Sequence, residues 1–240
     1  MKKFIISTCL LYSVVGFAQN KSYLSNRYAL ERMGTLNVGT NPVMPGLPMA
    51  APEVMGDPYI KKNQSLGTVL LYNDQVFRGM YTKYDLLQDE FYFFTKQGIR
   101  VVNGNQVKSF VFQDSLTQKE STYINAKEFK LKSGVPLIGF FEVVFDGQTA
   151  LLKKTDAIVI KANYNVALSV GRKDHTITKK TAYYYLMDNF INELPEKKIT
   201  SIFEEQQGKM DKFIKVNQLN LKDERHLSLL FENYNQIINK

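Results

Sequence analysis

The sequence predicts an α+β protein: an antiparallel β-meander of about eight to ten short strands, followed by a C-terminal pair of amphipathic helices packed on it. Two observations indicate this class. Residues 59–195 contain short segments rich in β-branched and aromatic residues, separated by turn signals. Residues 196–240 instead carry apolar side chains at helical spacing. We therefore expect one domain over residues 59–240, mainly β to residue 195 and a helical hairpin after it.

Residues 1–18 have the pattern of a bacterial signal peptide. Lys2 and Lys3 precede an apolar region that runs to Phe17 and is too short for a membrane span. Cleavage after Ala18 would also remove Cys9, the only cysteine, so that neither a disulfide nor a thiol nucleophile remains. We expect the protein to be exported, and to reside in the periplasm, at the outer membrane or outside the cell.

Residues 19–58 differ in composition from the rest of the chain. A short helix is expected at 19–33, whereas 34–58 contain five of the seven prolines and four glycines. Proline interrupts both helices and strand ladders, so this Pro/Gly/Met-rich stretch predicts a flexible or extended linker. Its methionines could also lie along a groove of the folded domain, and the sequence leaves that alternative open.

The β segments from residue 59 onward are joined by turns too tight for parallel crossovers, which predicts antiparallel neighbours. The best-defined hairpin is GFFEVVFDGQTALLKK, in which Asp-Gly at 146–147 predicts a two-residue type I′ turn. That turn would place Phe145 opposite Gln148 and bring Lys153 within reach of Glu142. The carboxylates of this stretch then serve the architecture rather than catalysis.

Two helices are expected at the C-terminus. Ser201 followed by Glu204 predicts a capping box at the start of the first. The second begins near Asp223, a carboxylate at the favourable end of a helix dipole. Its apolar residues recur at helical spacing: Leu227, Leu230, Phe231, Tyr234, Ile237 and Ile238. The two helices should pack on the sheet, because their apolar stripes would otherwise face water.

The formal net charge of +8 is partly local. Residues 153–180 hold seven cations against Asp156 and Asp174. In an exported protein this favours an anionic envelope polymer, a lipid head group or an envelope protein as partner, rather than nucleic acid. A solvated basic edge is the alternative interpretation. The candidate binding cations are Lys153, Lys154, Lys161, Arg172, Lys173, Lys179 and Lys180.

Aromatic runs at 91–94 and 183–185 place rings on both faces of their strands. Where one face is core, the other can carry Tyr92 or Tyr184 in a binding platform. A covering layer of helices or a second sheet is the alternative.

The sequence indicates no catalytic motif, metal site or cofactor. The only two histidines, His175 and His226, lack metal-ligand spacing, and no serine lies in a nucleophile elbow. A pair of carboxylates is the remaining route to hydrolysis. The candidates are Asp85, Asp89 and Glu90, for which a role in turn formation is the alternative, together with Glu142 and Asp146 of the hairpin.

Three motifs occur in a fixed order along residues 59–235. They are KYDL at 83–86, FEVVFDGQTALLKK at 141–154 and LSLLFENYN at 227–235. In this the chain resembles a family of small exported proteins of unassigned function that is widespread in Bacteroidota. The resemblance implies an envelope or secreted location and a shared architecture, and it supplies no catalytic residue.

These observations favour a non-enzymatic binding or scaffolding module of the cell envelope. The alternative is a hydrolase that cuts an envelope polymer with an Asp/Glu pair. A structural subunit tethered at the outer membrane through the proline-rich segment is a third interpretation. No run after the leader reaches the ~18 apolar residues of a transmembrane helix.

Overall fold

The structure is a computed structural model that describes residues 53–114, 117–131, 134, 136–165 and 167–239. The predicted signal peptide, the predicted helix at 19–33 and the linker up to residue 52 lie outside the described residues. All described residues belong to one compact unit. Among them, no helix is both long enough and apolar enough to cross a membrane.

The described residues form twelve strands and two α-helices. The strands are β1 Val54–Met55, β2 Ser65–Leu71, β3 Val76–Asp85, β4 Glu90–Thr95, β5 Gly98–Asn103, β6 Val107–Gln113, β7 Glu120–Asn125, β8 Lys130–Leu131, β9 Phe140–Phe145, β10 Ala150–Ile160, β11 His175–Met187 and β12 Phe190–Glu193. The helices are α1 Gln207–Val216 and α2 Glu224–Ile238. The predicted class is therefore confirmed, with slightly more strands than the eight to ten expected.

The strands form one sheet in the order β5-β4-β3-β2-β6-β7-β9-β10-β11-β12-β8. Neighbours are antiparallel except for two short parallel pairs, β8 with β12 and β1 with β11. The sheet departs from a simple meander because β6 returns to pair with β2.

The sheet curls at its β5 end. In a flat sheet β5 and β6 would lie about 19 Å apart, four strand spacings. They are joined only by the 3₁₀ turn Gly104–Gln106, whose three residues rise about 6 Å. The buried side chain of Asn125 holds this turn by donating to the carbonyls of Gly104 and Val107. The curled strands enclose an aromatic core: Val69, Leu71, Tyr84, Phe91, Phe93, Val107, Phe110, Phe112, Tyr123 and Phe140.

A strap, defined as residues 54–60, joins β11 to the end of β3. Its first residues pair with β11 as strand β1, so the last part of the predicted linker is strand rather than free chain. Farther on, the N–H of Ile60 donates to the Tyr84 carbonyl and the N–H of Leu86 donates to the Pro58 carbonyl, both at 3.0 Å. The strap thereby brings the β10–β11 ribbon against the β3–β4 turn.

The β9–β10 hairpin differs from the prediction. Phe145 lies opposite Leu151 rather than Gln148, and Val144 is an extra, bulged residue. Neither residue of the Asp-Gly pair at 146–147 has a positive φ, so the type I′ turn is absent. A close contact, rather than a positive φ, requires glycine at position 147, because a Cβ there would lie 2.7 Å from Oδ1 of Asn235.

The register is instead held from α2 by Asn235, which is buried. Its Oδ1 accepts the N–H of Thr149 at 3.0 Å, and its Nδ2 donates to the carbonyls of Thr149 (2.9 Å) and Phe231 (2.8 Å). A side-chain amide therefore completes the backbone hydrogen bonding of the hairpin loop. We call this contact the Asn235 clamp.

The helical hairpin covers one face of the sheet, as predicted. Leu151 of β10 shares a core with Phe203, Met210, Leu227, Leu230 and Phe231. Asp223 caps α2 by accepting the N–H of Arg225 at 2.9 Å. The predicted capping box at Ser201 and Glu204 is wrong, because 199–206 form a 3₁₀ segment and Glu204 has a φ of 42°, which interrupts the helix.

Candidate functional site

Two of the seven predicted binding cations form salt bridges within the fold. Nζ of Lys153 lies 2.8 Å from Oε2 of both Glu142 and Glu224, so that it links β9 and β10 to α2. The predicted pairing of Lys153 with Glu142 is thereby confirmed. Lys154 is buried on the other face of β10 and pairs with Asp156. Neither ammonium group is free to bind an external anion.

The other five cations lie on β11 and at the distal end of the ribbon. Lys179 pairs with Asp57 of the strap at 3.2 Å. Lys180 is its neighbour on the strand and therefore points to the opposite face. Lys161, Arg172 and Lys173 are exposed together at the ribbon tip, defined as residues 161–165 and 167–174. The seven cations therefore do not form the single surface that a basic edge requires.

The two candidate aromatic residues have different environments. Tyr184 is only 9% exposed and packs edge-to-face on Phe141, with ring centroids 5.0 Å apart. It is a core residue, and the predicted platform role for it is wrong. Tyr92 faces outward on β4, where its hydroxyl donates to Glu90 at 2.9 Å and Tyr59 of the strap packs against its ring.

Tyr92 belongs to an apolar surface on the convex side of the curled sheet. The strand register places Leu66, Tyr81, Phe94 and Ile99 in one row across β2, β3, β4 and β5. The row is roughly 15 Å long, three strand spacings. The next row pairs Tyr92 with Val101. We call these six side chains the outer face.

The outer face is unusually open for side chains of this kind. Tyr81 is 56%, Ile99 51% and Val101 52% exposed. On β4 the alternate residues Phe91 and Phe93, which flank Tyr92, point inward and are buried. A contiguous exposed apolar surface on a soluble domain is typical of a contact site for another molecule.

Two features set the chemistry of the outer face. Arg78 and Lys83 lie on it, and Lys83 holds its Nζ 4.2 Å from the centroid of the Tyr59 ring. Strand β5 ends the sheet, so among the described residues its outer backbone groups have no strand neighbour. Arg100 extends from this edge and contacts Gln97. The surface therefore suits an apolar partner that carries negative charge.

Three of the candidate carboxylates lie at the β3–β4 turn, where Asp85 is opposite Glu90, and each of them is engaged in a contact within the fold. Oδ1 of Asp85 accepts the N–H groups of Leu87 and Gln88, and the Asp85 side chain thereby shapes the β3–β4 turn. Glu90 accepts from Tyr92, and Glu142 is bound to Lys153. The turn role considered for Asp85 is thus its role in the structure.

Asp89 lines a cavity that has a volume of about 270 Å³. The cavity lies between the β3–β4 turn, residues 136–140 and β10, and it also contains Tyr84, Lys154 and Asp156. The Tyr84 hydroxyl donates to Oδ1 of Asp89 at 2.8 Å. Burial raises the pKa of Asp89 above its usual value, and the Tyr84 hydrogen bond offsets part of that rise.

The histidines accept backbone hydrogen bonds. Nδ1 of His175 accepts the N–H of Ala162, and Nδ1 of His226 accepts the N–H of Asn220, both at 2.9 Å. In the described part of the chain, no group of three or more His, Cys, Asp or Glu residues is arranged to hold a metal ion.

Sequence reasoning missed most of the outer face. The alternation of side chains in GMYTKY and GIRVV would have placed Tyr81, Ile99 and Val101 on one side of their strands. It could not have shown that this side is uncovered. Comparison of the chain with protein-family models, curated proteins and solved structures finds no match. The function has to be inferred from the surfaces themselves.

Proposed function

We propose that this protein is an exported, non-enzymatic binding or scaffolding module of the cell envelope, and that it holds an acidic envelope protein on its outer face. The single observation that carries this proposal is the exposed row of apolar side chains next to the open edge of β5. Such a surface is costly to leave in water, and cations around it favour a partner with carboxylates. The leader-like N-terminus supports an envelope location.

We also propose that the chain belongs to the Bacteroidota family that its motifs resemble. The motif residues have structural roles that fit a shared architecture. Gly147 of the hairpin motif makes room for Asn235 of the helix motif, and Lys153 ties the hairpin to α2. These roles concern folding, which is consistent with a family whose motifs carry no chemistry.

The test is co-sedimentation of the purified protein with envelope fragments from its host. The wild type should sediment, and the double variant Ile99→Asp/Val101→Asp should lose at least tenfold in affinity, since burying one apolar side chain is worth about 1.5–3 kcal/mol. The matched control is Val216→Asp/Leu229→Asp, which adds the same charge at exposed apolar positions of the helices. Protease treatment of the fragments should abolish binding.

Equal loss of binding in the two double variants would contradict the proposal, because the effect would then follow net charge alone. Binding that survives protease treatment would show that the partner is a polymer rather than a protein.

A hydrolase is the second candidate, and the cavity favours it. Asp89 and Asp156 line this cavity together, and a carboxyl with a raised pKa is the usual general acid of glycoside hydrolysis. Asp156 is paired with Lys154, which weakens the case for this function. Release of reducing ends from envelope polymer by the wild type, abolished in Asp89→Asn and in Asp156→Asn, would establish it.

A further inference from the structure

The two arms of the ribbon tip are joined by hydrogen bonds at the far end of β10 and β11. The N–H of Asn163 donates to the Arg172 carbonyl at 3.0 Å, and Oδ1 of Asn163 accepts the N–H of Arg172 at 2.9 Å. Nearer the apex, the N–H of Asn165 donates to the Val170 carbonyl at 2.8 Å. These bonds set the backbone path of the two arms that carry the exposed side chains of the tip.

The apex of the tip is apolar. Leu168 is 69% exposed and Val170 is 56% exposed, and neither belongs to any of the three cores of the described residues. Tyr164 lies just behind them, with Nζ of Lys173 5.0 Å from its ring centroid. A tyrosine behind exposed aliphatic side chains is the arrangement found where proteins meet the interface of a bilayer.

The flanks of the tip are basic. Lys161, Arg172 and Lys173 are exposed there. The carboxylates at this end of the ribbon are Asp174, whose Oδ1 accepts the N–H of Glu53 at 3.1 Å, and Glu53 itself, the residue before the strap. Both stand at the base of the tip, and the charged residues from 161 to 173 are all cations.

We propose that the ribbon tip docks on an anionic phospholipid surface, with Leu168 and Val170 entering the head-group region and the three cations contacting lipid phosphates. A soluble anion could use the cations but would leave the aliphatic apex in water. A lipid surface satisfies both, because its head groups carry the charge and its acyl boundary accepts the apolar side chains. The inference is independent of the outer face, which lies on other strands.

The test is sedimentation of the protein, purified from its host, with vesicles of phosphatidylglycerol and phosphatidylcholine. The wild type should bind these vesicles more tightly than pure phosphatidylcholine, and less tightly as salt is raised. Each cation near an anionic surface contributes roughly fivefold, so Arg172→Glu/Lys173→Glu should weaken binding at least 25-fold. Leu168→Ser should weaken it about tenfold.

Two controls separate the tip from general effects. Lys209→Glu/Lys212→Glu makes the same change of charge at exposed positions of α1, and Val216→Ser removes a side chain that is 69% exposed, like Leu168. Both should bind like the wild type. All variants should keep the wild-type melting temperature, because the replaced side chains are exposed.

Three results would overturn the proposal. They are equal binding to both kinds of vesicle, an equal loss in the α1 charge variant, and full competition by millimolar inorganic phosphate, which would indicate a phosphate site rather than a lipid surface. Binding that survives Leu168→Ser unchanged would likewise remove the apolar half of the argument. None of these results bears on the outer face, whose variants are tested with envelope fragments.

Discussion

Replacing Asn235 with alanine should destabilise the protein by roughly 3 kcal/mol. The substitution removes three hydrogen bonds of 2.8–3.0 Å, each worth about 1 kcal/mol net. It also leaves the backbone N–H and C=O of Thr149 buried without this partner, which adds to the cost unless water enters. Against a total stability of about 5–15 kcal/mol, this is a large fraction.

The assay is urea unfolding of the wild type and the variant. With an m-value of about 2 kcal/mol/M, the urea midpoint should fall by roughly 1.5 M while the m-value stays unchanged. Asn233→Ala is the control, because Asn233 lies on the same helix and is only half-buried, so its loss should stay within about 0.5 kcal/mol.

An isosteric variant distinguishes the hydrogen bonds from packing. Asn235→Asp keeps an acceptor for the N–H of Thr149 but turns the donor toward the carbonyls of Thr149 and Phe231 into a second acceptor. It should be as damaging as alanine at neutral pH. A loss below about 0.5 kcal/mol in Asn235→Ala would refute the clamp as the element that sets the hairpin register.

Three further changes test the contacts around the clamp and the cavity. Gly147→Ala should destabilise, because its Cβ would displace the Asn235 amide, and in a double-mutant cycle the two substitutions should couple by about 1 kcal/mol or more. Lys153→Met should cost about 2 kcal/mol in urea unfolding by leaving two glutamates facing each other. Burial lowers the pKa of Lys153, but its hydrogen bonds to those glutamates outweigh burial and hold the pKa above its usual value. The free energy of unfolding that Lys153 contributes should therefore be lost as pH rises through its raised pKa. This loss should occur in the wild type and not in Lys153→Met. Burial raises the pKa of Asp89 above its usual value, so the folded state binds this proton more tightly than the unfolded state does. Protonation of Asp89 therefore favours folding at low pH, and stability should decline with rising pH less steeply in Asp89→Asn.

Each of these three has an outcome that would count against it. Additive losses for Gly147 and Asn235 would show that the glycine acts through something other than the clamp. An unchanged alkaline unfolding profile in Lys153→Met would mean that the ion pair does not contribute to stability. For Asp89, a pH profile identical to the wild type would place its carboxyl in water.

The sequence predicted those parts of the fold that local pattern determines. Alternating β-branched and aromatic residues marked the strands, and helical spacing marked α2 with Asp223 at its start. The reach of Lys153 to Glu142 followed from neighbouring strands alone.

The errors arose where distant residues override local preference. Asp-Gly at 146–147 prefers a type I′ turn, but Asn235, far along the chain, supplies the hydrogen bonds that hold a wider loop. Ser201 and Glu204 fit a capping box, yet the chain there forms a 3₁₀ segment that packs Phe203 on Tyr234.

The surfaces were predicted only in part, for the same reason. The cations at 153 and 154 looked like a binding edge because sequence shows charge without showing partners. In the structure, Glu224 on α2 and the register of β10 determine which partners these cations have. Tyr92 was placed correctly on an outward face, whereas Tyr184 is covered by a core that forms around Phe141. Which side of a strand stays uncovered depends on the curl of the whole sheet.

The most direct test of the proposed function is hydrogen exchange of the wild type with and without protease-sensitive envelope fragments. An acidic protein held on the outer face should slow amide exchange in Gly98–Asn103. It should also slow exchange in Val76–Asp85, the strand that contributes Tyr81 to the outer face. Residues 136–140 and 154–156 around the cavity should be unaffected. Protection confined to the cavity segments, with β5 unchanged, would contradict the account and favour the hydrolase.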